Sequence, residues 1–369
     1  MRLALVWDNF GPLHDDRLRA CVERLPPGVS VLGLEISGRS DVYAWTSSRS
    51  HDLPKVTLFP DEATSETSEL RMAVAVLKVV LRQRIDAVFL CHYDRPGTAL
   101  LAYVLRLLGR RVFLMGCAKF DDRPRSVLKE AAKRLVLAPY MGALVGGFGT
   151  RAYFEFLGLR SKPIVYGYNT VSNARIRELA AQAAAPARSF AERDFVVVAR
   201  MVPKKNITAI IDAYARFLVQ HPEARRQLHL CGDGSLEQQL RKQVAALGLD
   251  DRVIFHGFIQ SDGVAGVLKD ALALLLVSTE EQFGNVVPEA LALRIPVILS
   301  DVCGARYELL RTGVNGFLVE ADNVEGLAYY LGLLHDDAEL WARLSAGAEA
   351  MASLGDTARF AEGVAGLSA

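Results

Sequence analysis

The loop that follows the apolar run Phe195–Ala199 carries two cations. Arg200 and Lys205 lie at the end of one predicted strand and near the start of a predicted helix. Arginine binds an anion as a two-pronged fork and lysine binds it as a point charge, so the two together suit a diphosphate. The alternative interpretation is a solvated basic loop without a ligand.

A second loop, after the apolar run Ala273–Val277, carries two carboxylates. Glu281 lies in the loop, and Glu289 lies just inside the helix that is predicted to follow. Because carboxylates accept hydrogen bonds from neighbouring hydroxyl groups, one of them can hold sugar hydroxyls and the other ribose hydroxyls. The alternative for Glu289 is that it only complements the dipole of its own helix.

The start of that helix is a predicted phosphate site. Gly284 and Asn285 open the helix, and Pro288 falls in its first turn, where a missing N–H costs nothing. The unpaired amides and the positive dipole at such an end favour phosphate. Cations, carboxylates and helix start together suit a nucleoside diphosphate sugar.

Short apolar runs alternate with amphipathic helical stretches along the chain. Because strands that are apolar throughout need cover on both faces, this alternation predicts parallel sheets flanked by helices. The predicted strands are Leu3–Trp7, Val31–Ile36, Val56–Phe59, Ala87–Cys91, Val112–Gly116, Ala143–Gly146, Ile164–Tyr166, Phe195–Ala199, Leu228–Leu230, Val253–Phe255, Ala273–Val277, Val297–Leu299 and Phe317–Val319. Ligands of such sheets lie beyond the carboxyl ends of the strands, where both loops fall.

The length of the chain, 369 residues, suits two domains better than one. We predict an α/β protein of two doubly wound, Rossmann-like domains that face a cleft. The first domain covers residues 1–175 and the second covers residues 176–351. The Ala-rich segment Ile176–Ala191 is interpreted as the connection between them, and a C-terminal helix at about 352–369 could pack back on the first domain.

The composition of the chain limits the classes of protein to which it can belong. Hydrophobic residues make up 51% and charged residues 23% of a chain with a net charge of +1, which is typical of a globular protein and gives no pull toward nucleic acid. The scattered cysteines form no CxxC pair and favour reduced thiols in a cytoplasmic protein. No apolar run reaches the roughly 18–20 residues that span a bilayer. No DxD motif is present, so we expect neither a metal nor a cofactor.

These motifs together resemble the retaining GT-B glycosyltransferases of the family numbered four, the glycosyl transferases group 1. The segments that match in order and spacing are EEQFGNVVPEALA with Glu281 and Glu289, the Arg200/Lys205 pair, HLCGDGSLEQQL, VIFHGFI and GVNGFLV. They cover about Phe195 to Ala328. Asn206, where a glycine is usual, and Val277, where a proline is common, depart from the pattern.

The resemblance implies a role for each matching residue. Arg200 and Lys205 would hold the pyrophosphate, Glu281 the donor sugar and Glu289 the ribose. The backbone at Gly257 and Phe258 would contact the base. The backbone amides near the sugar phosphates would be those of Phe283, Gly284, Asn285 and Val286.

The amino half is similar to a branch of the family that builds bacterial surface polysaccharides, on the segments MGCAKFDDRPRS and YGYNTVSN. Many relatives carry a His-Asp pair after the fifth strand, where this chain has Gly116 and Cys117. His92 and Asp121 are therefore the catalytic candidates on this side. The further candidates for the acceptor side are Gly11, His14, Asp122 and Arg123.

The resemblance implies a retaining transfer of a hexose-type sugar from a UDP- or GDP-sugar to a saccharide hydroxyl, without metal and by a front-face route. A GT-B-fold epimerase or phosphorylase stays open as an alternative, and so does an NAD-dependent oxidoreductase, since GGFGTRAYF contains Gly147-x-Gly149-x-x-Ala152. The stretches AYVLRLLGRR and RSVLKEAAKRLVL set cations beside apolar stripes. They could contact an anionic membrane at the inner face of the plasma membrane, where the acceptor could be lipid-linked.

Overall fold

The computed structural model describes residues 1–39, 52–183 and 188–369. The chain divides into two compact units. The first unit comprises Met1–Ser172 and Asp356–Ala369, and the second comprises Asn173–Gly355. No helix in these described ranges is both long and apolar enough to span a bilayer.

The first unit is built on a parallel sheet of seven strands, in the order β3-β2-β1-β4-β5-β6-β7. The strands are β1 (Arg2–Trp7), β2 (Ser30–Arg39), β3 (Lys55–Ala63), β4 (Ala87–Leu90), β5 (Arg111–Gly116), β6 (Gly142–Val145) and β7 (Ile164–Tyr166). The helices are α1 (Pro12–Arg24), α2 (Glu69–Arg82), α3 (Pro96–Leu107), α4 (Val127–Leu137) and α5 (Phe148–Phe154). A single π-helical turn, Glu155–Leu159, continues α5.

The second unit is built on a parallel sheet of six strands, in the order β10-β9-β8-β11-β12-β13. The strands are β8 (Asp194–Val198), β9 (Leu228–Cys231), β10 (Val253–Gly257), β11 (Ala271–Leu276), β12 (Val297–Ser300) and β13 (Gly316–Val319). The helices are α6 (Asn173–Gln182), α7 (Ile207–Gln220), α8 (Glu237–Ala246), α9 (Ser261–Leu268), α10 (Val286–Ala292), α11 (Arg306–Leu309), α12 (Val324–Asp336) and α13 (Ala338–Met351).

The last helix, α14 (Thr357–Ser368), belongs to the first unit and packs against α1. Its N-cap residue Asp356 accepts a hydrogen bond of 2.8 Å from the amide of Ala358. At its other end the guanidinium of Arg111 donates to the carbonyl oxygens of Leu367 and Ser368, at 2.9 Å and 2.5 Å. Both ends of the helix are therefore held by side chains that satisfy its backbone groups.

Strand order changes direction once in each sheet. In the first sheet β2 and β3 lie on one side of β1, and β4 to β7 lie on the other. In the second sheet β9 and β10 lie on one side of β8, and β11 to β13 lie on the other. At such a switch point the two loops leave the sheet on opposite faces and open a crevice between them. Each unit thus has one place where its topology favours a ligand.

The predicted connection at Ile176–Ala191 is wrong for its first half. Residues up to Gln182 form α6, which packs against α9 and α10. Arg177 Nε of this helix donates a hydrogen bond of 2.9 Å to the carbonyl oxygen of Ala292. Alanine has the highest helix propensity, so the composition that suggested a linker favours a helix wherever a partner surface exists. Residues 184–187 of that segment lie outside the described residues.

Candidate functional site

The loops after β8 and β11 meet at the switch point of the second sheet. The Nζ atom of Lys205 contacts the carboxylate of Glu281. Both side chains are largely buried, with 15% and 12% of their surface exposed. Burying either charge alone would be costly, and the contact offsets that cost. The predicted cation of one loop and the predicted carboxylate of the other are therefore placed together.

Asn206 ties the two loops through its side chain and its backbone. Its Nδ2 donates to the carbonyl oxygens of Val277, at 3.1 Å, and Ala321, at 2.7 Å. Its φ angle of 55° lies in the left-handed region, which glycine tolerates best and asparagine tolerates next. The usual glycine and the asparagine of this chain thus meet the same backbone requirement. The amide of Thr279 adds a hydrogen bond of 2.9 Å to the carbonyl oxygen of Lys204.

The exposed Arg200 lies on a backbone segment that the turn after β9 supports. The amide of Met201 donates to the carbonyl oxygen of Asp233 at 2.6 Å. Gly232 has a φ of 138°, and a Cβ there would lie 2.1 Å from the carbonyl oxygen of Ala199. Gly234 has a φ of 153°, and its Cβ would lie 2.5 Å from the carbonyl oxygen of Met201. Only glycines let the turn approach this closely.

The loop that carries Glu281 rests on the loop after β12. The amide of Gly304 donates to the carbonyl oxygen of Glu281 at 3.2 Å, and the amide of Ala305 donates to that of Phe283 at 2.9 Å. The hydroxyl of Ser278, which is fully buried, donates to Glu281 Oε2 at 3.3 Å. Backbone and side-chain contacts together fix the position of the Glu281 carboxylate.

Helix α10 begins at Val286, with Asn285 as its N-cap residue, as the sequence pattern predicts. Phe283, Gly284 and Val286 are buried, and Glu289 lies partly buried in the first turn. The helix has seven residues, Val286–Ala292. Phosphate binding to these amides stays a prediction.

Gly257 and Phe258, predicted to contact the base, lie at the carboxyl end of β10. Gly257 has a φ of 66°, and its carbonyl oxygen accepts a hydrogen bond of 2.8 Å from the amide of Gly232. The side chain of Phe258 is 39% exposed. The base-contact segment is thus tied to the same glycine turn that supports Arg200.

In the first unit, His92 lies at the switch point of the sheet, and His14 lies in the first turn of α1. His92 Nε2 is 3.3 Å from Asp8 Oδ2. His14 Nδ1 accepts a hydrogen bond of 3.1 Å from the amide of Gly11, at the start of its own helix. Burial, and then the nearby charge of Arg17, lower the pKa of His14 well below its ordinary value, so its ring is neutral at pH 7. His14 and Gly11 are therefore part of the start of α1.

Asp121 and Asp122 lie in a short 3₁₀ turn after β5 and pair with a buried lysine. The Nζ atom of Lys119 lies 3.1 Å from Asp121 Oδ1 and 3.4 Å from Asp122 Oδ1. The next helix, α4, begins at Val127, so neither carboxylate caps it. Arg123 follows the turn and is exposed. Asp121 lies beside Lys119, whereas His92 lies beside Asp8.

Residues 183–351 match the family model for glycosyl transferases group 1. This segment contains both donor-side loops of the second unit and the turn after β9. This segment of the chain is therefore similar to the glycosyl transferases group 1. The resemblance that the sequence motifs predict is confirmed for this segment.

Relatives agree with this placement. The Vi polysaccharide biosynthesis protein VipC/TviE of Salmonella typhi is 32% identical over 293 residues, which cover 73% of this chain and 50% of that protein. The chain spans half or less of the length of the curated relatives it matches first.

Solved structures resemble the chain over nearly its full length. A sucrose-phosphate synthase from Thermosynechococcus elongatus matches with a TM-score of 0.76 at 16% identity, covering 100% of this chain and 98% of that one. The HepE protein of Anabaena in complex with UDP and glucose matches with a TM-score of 0.73 at 20% identity, covering 99% and 98%. At these identities the matches show the fold, and the predicted two-domain α/β GT-B fold is confirmed.

Two residues that contact the predicted site residues are missed by the sequence motifs, Ser278 and Asp8. Ser278 lies two positions beyond the end of β11 and donates to Glu281, and Asp8 directly follows β1 and contacts His92. Both positions are the first polar side chain, or nearly the first, beyond an apolar strand. That signal was available in the sequence, since the loops at the carboxyl ends of strands carry the ligands of such folds.

Proposed function

We propose that this chain transfers a hexose-type sugar from a UDP- or GDP-sugar to a hydroxyl group of a saccharide acceptor. The observation that carries the proposal is the contact between Lys205 and Glu281 at the switch point of the second sheet. A cation suited to a diphosphate and a carboxylate suited to sugar hydroxyls lie side by side there. A nucleotide sugar presents its diphosphate and the hydroxyl groups of its sugar next to each other.

Each donor-side residue has a role in this proposal. Arg200 and Lys205 bind the diphosphate and stabilise the negative charge that develops as it leaves. Glu281 accepts hydrogen bonds from the donor sugar, and Glu289 accepts them from the ribose. The backbone of Phe283 to Val286 faces the sugar phosphates, and that of Gly257 and Phe258 faces the base. The solved HepE structure, which contains UDP and glucose, supports this class of donor.

We propose a retaining, metal-independent reaction. The two cations supply the positive charge that the leaving diphosphate needs, and the sequence contains no DxD motif. Glu281 is engaged by Lys205 and Ser278, which suits a hydroxyl-binding role better than that of a nucleophile. In a front-face route the leaving phosphate accepts the proton of the acceptor hydroxyl, so no further carboxylate is required.

The first experiment is thermal unfolding of the purified chain with UDP, GDP, ADP and dTDP. A ligand at a hundredfold excess over its Kd stabilises by about 2.7 kcal/mol. We expect UDP or GDP to raise the Tm, with and without EDTA, and Lys205→Ala to remove most of that rise. Lys204→Ala is the matched control, because Lys204 is the neighbour of Lys205 and its side chain is exposed.

Two outcomes would overturn the donor proposal. One is stabilisation by a nicotinamide dinucleotide and by none of the nucleoside diphosphates. The other is an equal response of wild type and Lys205→Ala to UDP or GDP. If the donor reacts with orthophosphate and no saccharide acceptor is needed, the chain is a phosphorylase. If the donor is converted without any second substrate, the chain is an epimerase.

We further propose that the first unit contacts an anionic membrane through a surface formed by α3, α4 and the π-helical turn, here called the α3–α4 face. The hydroxyl of Tyr103 on α3 donates to the carbonyl oxygen of Leu135 on α4 at 2.7 Å, and the rings of Phe120 and Phe156 lie 5.8 Å apart. The most exposed large apolar side chains of this surface, together with Phe120 of the neighbouring 3₁₀ turn, are Leu107 (86%), Val127 (87%), Leu128 (83%), Leu135 (70%), Phe156 (57%) and Phe120 (53%).

Cations accompany this apolar surface. Its helices and connecting loops carry Arg106, Arg110, Arg123, Lys129 and Arg134. Apolar side chains between cations are typical of segments that lie on anionic lipid, where each cation near the surface contributes about 1 kcal/mol. Such a chain would work in the cytoplasm at the inner face of the plasma membrane, with a lipid-linked saccharide as its acceptor.

Sedimentation with lipid vesicles tests the α3–α4 face. We expect the chain to bind vesicles that contain phosphatidylglycerol, to bind pure phosphatidylcholine vesicles weakly, and to dissociate as salt is added. The double variant Val127→Ser/Leu128→Ser should lose binding. Val219→Ser, which removes a valine that is 82% exposed on α7 of the second unit, should not. Equal sedimentation of wild type and the double variant would contradict the proposal.

A further inference from the structure

Lys205 and Glu281 balance one another's charge in the donor-side loops. The Nζ atom of Lys205 donates to Glu281 Oε2, and the hydroxyl of Ser278 donates to the same oxygen at 3.3 Å. Within the described residues, these two donors are the side-chain partners of the Glu281 carboxylate. Glu281 is in turn the side-chain partner of Lys205. Each largely buried charge therefore depends on the other for its stability.

The backbones that carry the two side chains are held by separate hydrogen bonds. Asn206, the neighbour of Lys205, donates from Nδ2 to the backbone carbonyl oxygens that follow β11 and β13, at 3.1 Å and 2.7 Å. The carbonyl oxygen of Glu281 accepts a hydrogen bond of 3.2 Å from the amide of Gly304. A change of partner therefore concerns the side chains, and neither loop can follow the side chain of the other.

A diphosphate and Glu281 compete for the same ammonium group. If Lys205 bound both anions at once, it would bring like charges together in a site where neither residue is more than 15% exposed. If Lys205 turns to the diphosphate, Glu281 keeps its bond from Ser278 and loses its cation. Leaving a carboxylate that is 12% exposed without a cation is costly. A free nucleoside diphosphate thus satisfies one member of the pair at the expense of the other.

A nucleotide sugar satisfies both members of the pair. Its diphosphate engages Lys205, and the hydroxyl groups of its sugar donate to Glu281. The hydrogen bond from Ser278 to Glu281 is the same in each case, so it does not distinguish the two ligands. The difference between them lies in what replaces Lys205 beside the carboxylate.

We propose that the Lys205–Glu281 pair makes the donor site select a nucleotide sugar over the free nucleoside diphosphate. With the intact donor, sugar hydroxyls take the place of Lys205 beside Glu281. After the sugar has been transferred, Glu281 pairs with Lys205 again and competes with the diphosphate product, which favours its release. This role rests on the proposed glycosyl transfer and adds to it a cause for the selection of substrate over product.

Titration calorimetry of the full chain with UDP and with GDP tests the pair. Glu281→Gln removes the carboxylate charge and keeps the size of the side chain, so Lys205 has no ion pair to leave. We expect this variant to bind the nucleoside diphosphate about tenfold more tightly than wild type. Glu280→Gln is the matched control, because Glu280 is the exposed neighbour of Glu281 and its replacement should leave the Kd unchanged. If Glu281 contacted only the sugar, neither variant would change the Kd of the diphosphate.

Two further variants separate competition for Lys205 from simple repulsion of the diphosphate. When Lys205 is already alanine, Glu281→Gln should change the affinity for UDP or GDP by less than about twofold, whereas repulsion predicts that the tenfold gain persists. Glu281→Asp keeps the charge and draws the carboxylate away from Lys205 by one methylene group. It should therefore also bind the diphosphate more tightly than wild type, and repulsion predicts no gain. The Tm of each variant without nucleotide shows that it is folded.

Nucleotide sugars complete the test. Of UDP-glucose, UDP-N-acetylglucosamine and GDP-mannose, at least one should bind wild type more tightly than its own nucleoside diphosphate, and Glu281→Gln should reverse that order. If neither UDP nor GDP binds wild type, the donor proposal is refuted and the selection with it. If one of them binds through Lys205 but has the same Kd in wild type and in Glu281→Gln, the donor proposal stands and the selection by the pair is overturned. Persistence of the gain in the Lys205→Ala background overturns it as well.

Discussion

The glycine turn after β9 provides a sharp test of how the Arg200 segment is held. In Gly232→Ala the new Cβ would lie 2.1 Å from the carbonyl oxygen of Ala199 and 2.9 Å from its carbon. Backbone atoms cannot rotate away as a side chain can, so the turn or the end of β8 must move. The φ of 138° adds strain of its own, since side-chain-bearing residues rarely adopt it.

A matched control separates these two costs. Gly248 also has a positive φ, 66°, but a Cβ there would meet nothing within 4 Å. Gly248→Ala should therefore cost only the left-handed backbone, about 1–2 kcal/mol. Gly232→Ala should cost about 3–5 kcal/mol, because backbone strain and a steric clash add. In a unit of this size 1 kcal/mol shifts the Tm by about 2–4 °C.

Calorimetry with and without the stabilising nucleotide measures both effects. We expect Gly232→Ala to lower the Tm by about 6 °C or more and to weaken nucleotide binding, because the amide of Met201 bonds to this turn beside Arg200. Gly248→Ala should lower the Tm less and leave nucleotide binding as in wild type. If the two variants have the same Tm, or if Gly232→Ala binds the nucleotide as tightly as wild type, the turn does not support the Arg200 segment.

Two further predictions concern the second unit. Burial alone would raise the pKa of Asp194, but hydrogen bonds from His229 and from the amide of Gln227 hold it below its ordinary value of 3.8. The stability that Asp194 contributes is therefore fully present above pH 3.8 and is lost as pH falls through the lower folded pKa, so urea unfolding should show the deficit of Asp194→Asn shrinking below that pH. Ser278→Ala removes a hydrogen bond to Glu281 and should weaken binding of the nucleotide sugar about fivefold while binding of the nucleoside diphosphate stays unchanged, as titration calorimetry would show.

The strands were predictable because burial on both faces leaves an unambiguous pattern. Every apolar run marked in the sequence coincides with a strand, and runs such as Ala87–Leu90 are buried at each position. Helix boundaries were predictable where a cap is present, as at Ser68, whose side chain accepts a hydrogen bond of 3.3 Å from the amide of Arg71. The segment before Gln182 was misread because composition does not show whether a partner surface exists. Asp121 and Asp122, the candidates on the acceptor side, pair with Lys119, a contact that the sequence does not show.

The donor-side loops and the contact of Asp8 with His92 differ in what each requires of the chain. The donor-side loops approach one another through backbone atoms, so single positions admit only small or left-handed residues. A Cβ at Gly304 would lie 1.9 Å from the carbonyl oxygen of Gln282, and Asn206 must adopt a φ of 55°. Such demands act on neighbouring positions in the chain and leave a local motif. The contact of Asp8 with His92 requires only two side chains from loops that the sheet brings together, 84 positions apart. A requirement of that kind leaves no local motif, so the pair emerges only when the strand order is known.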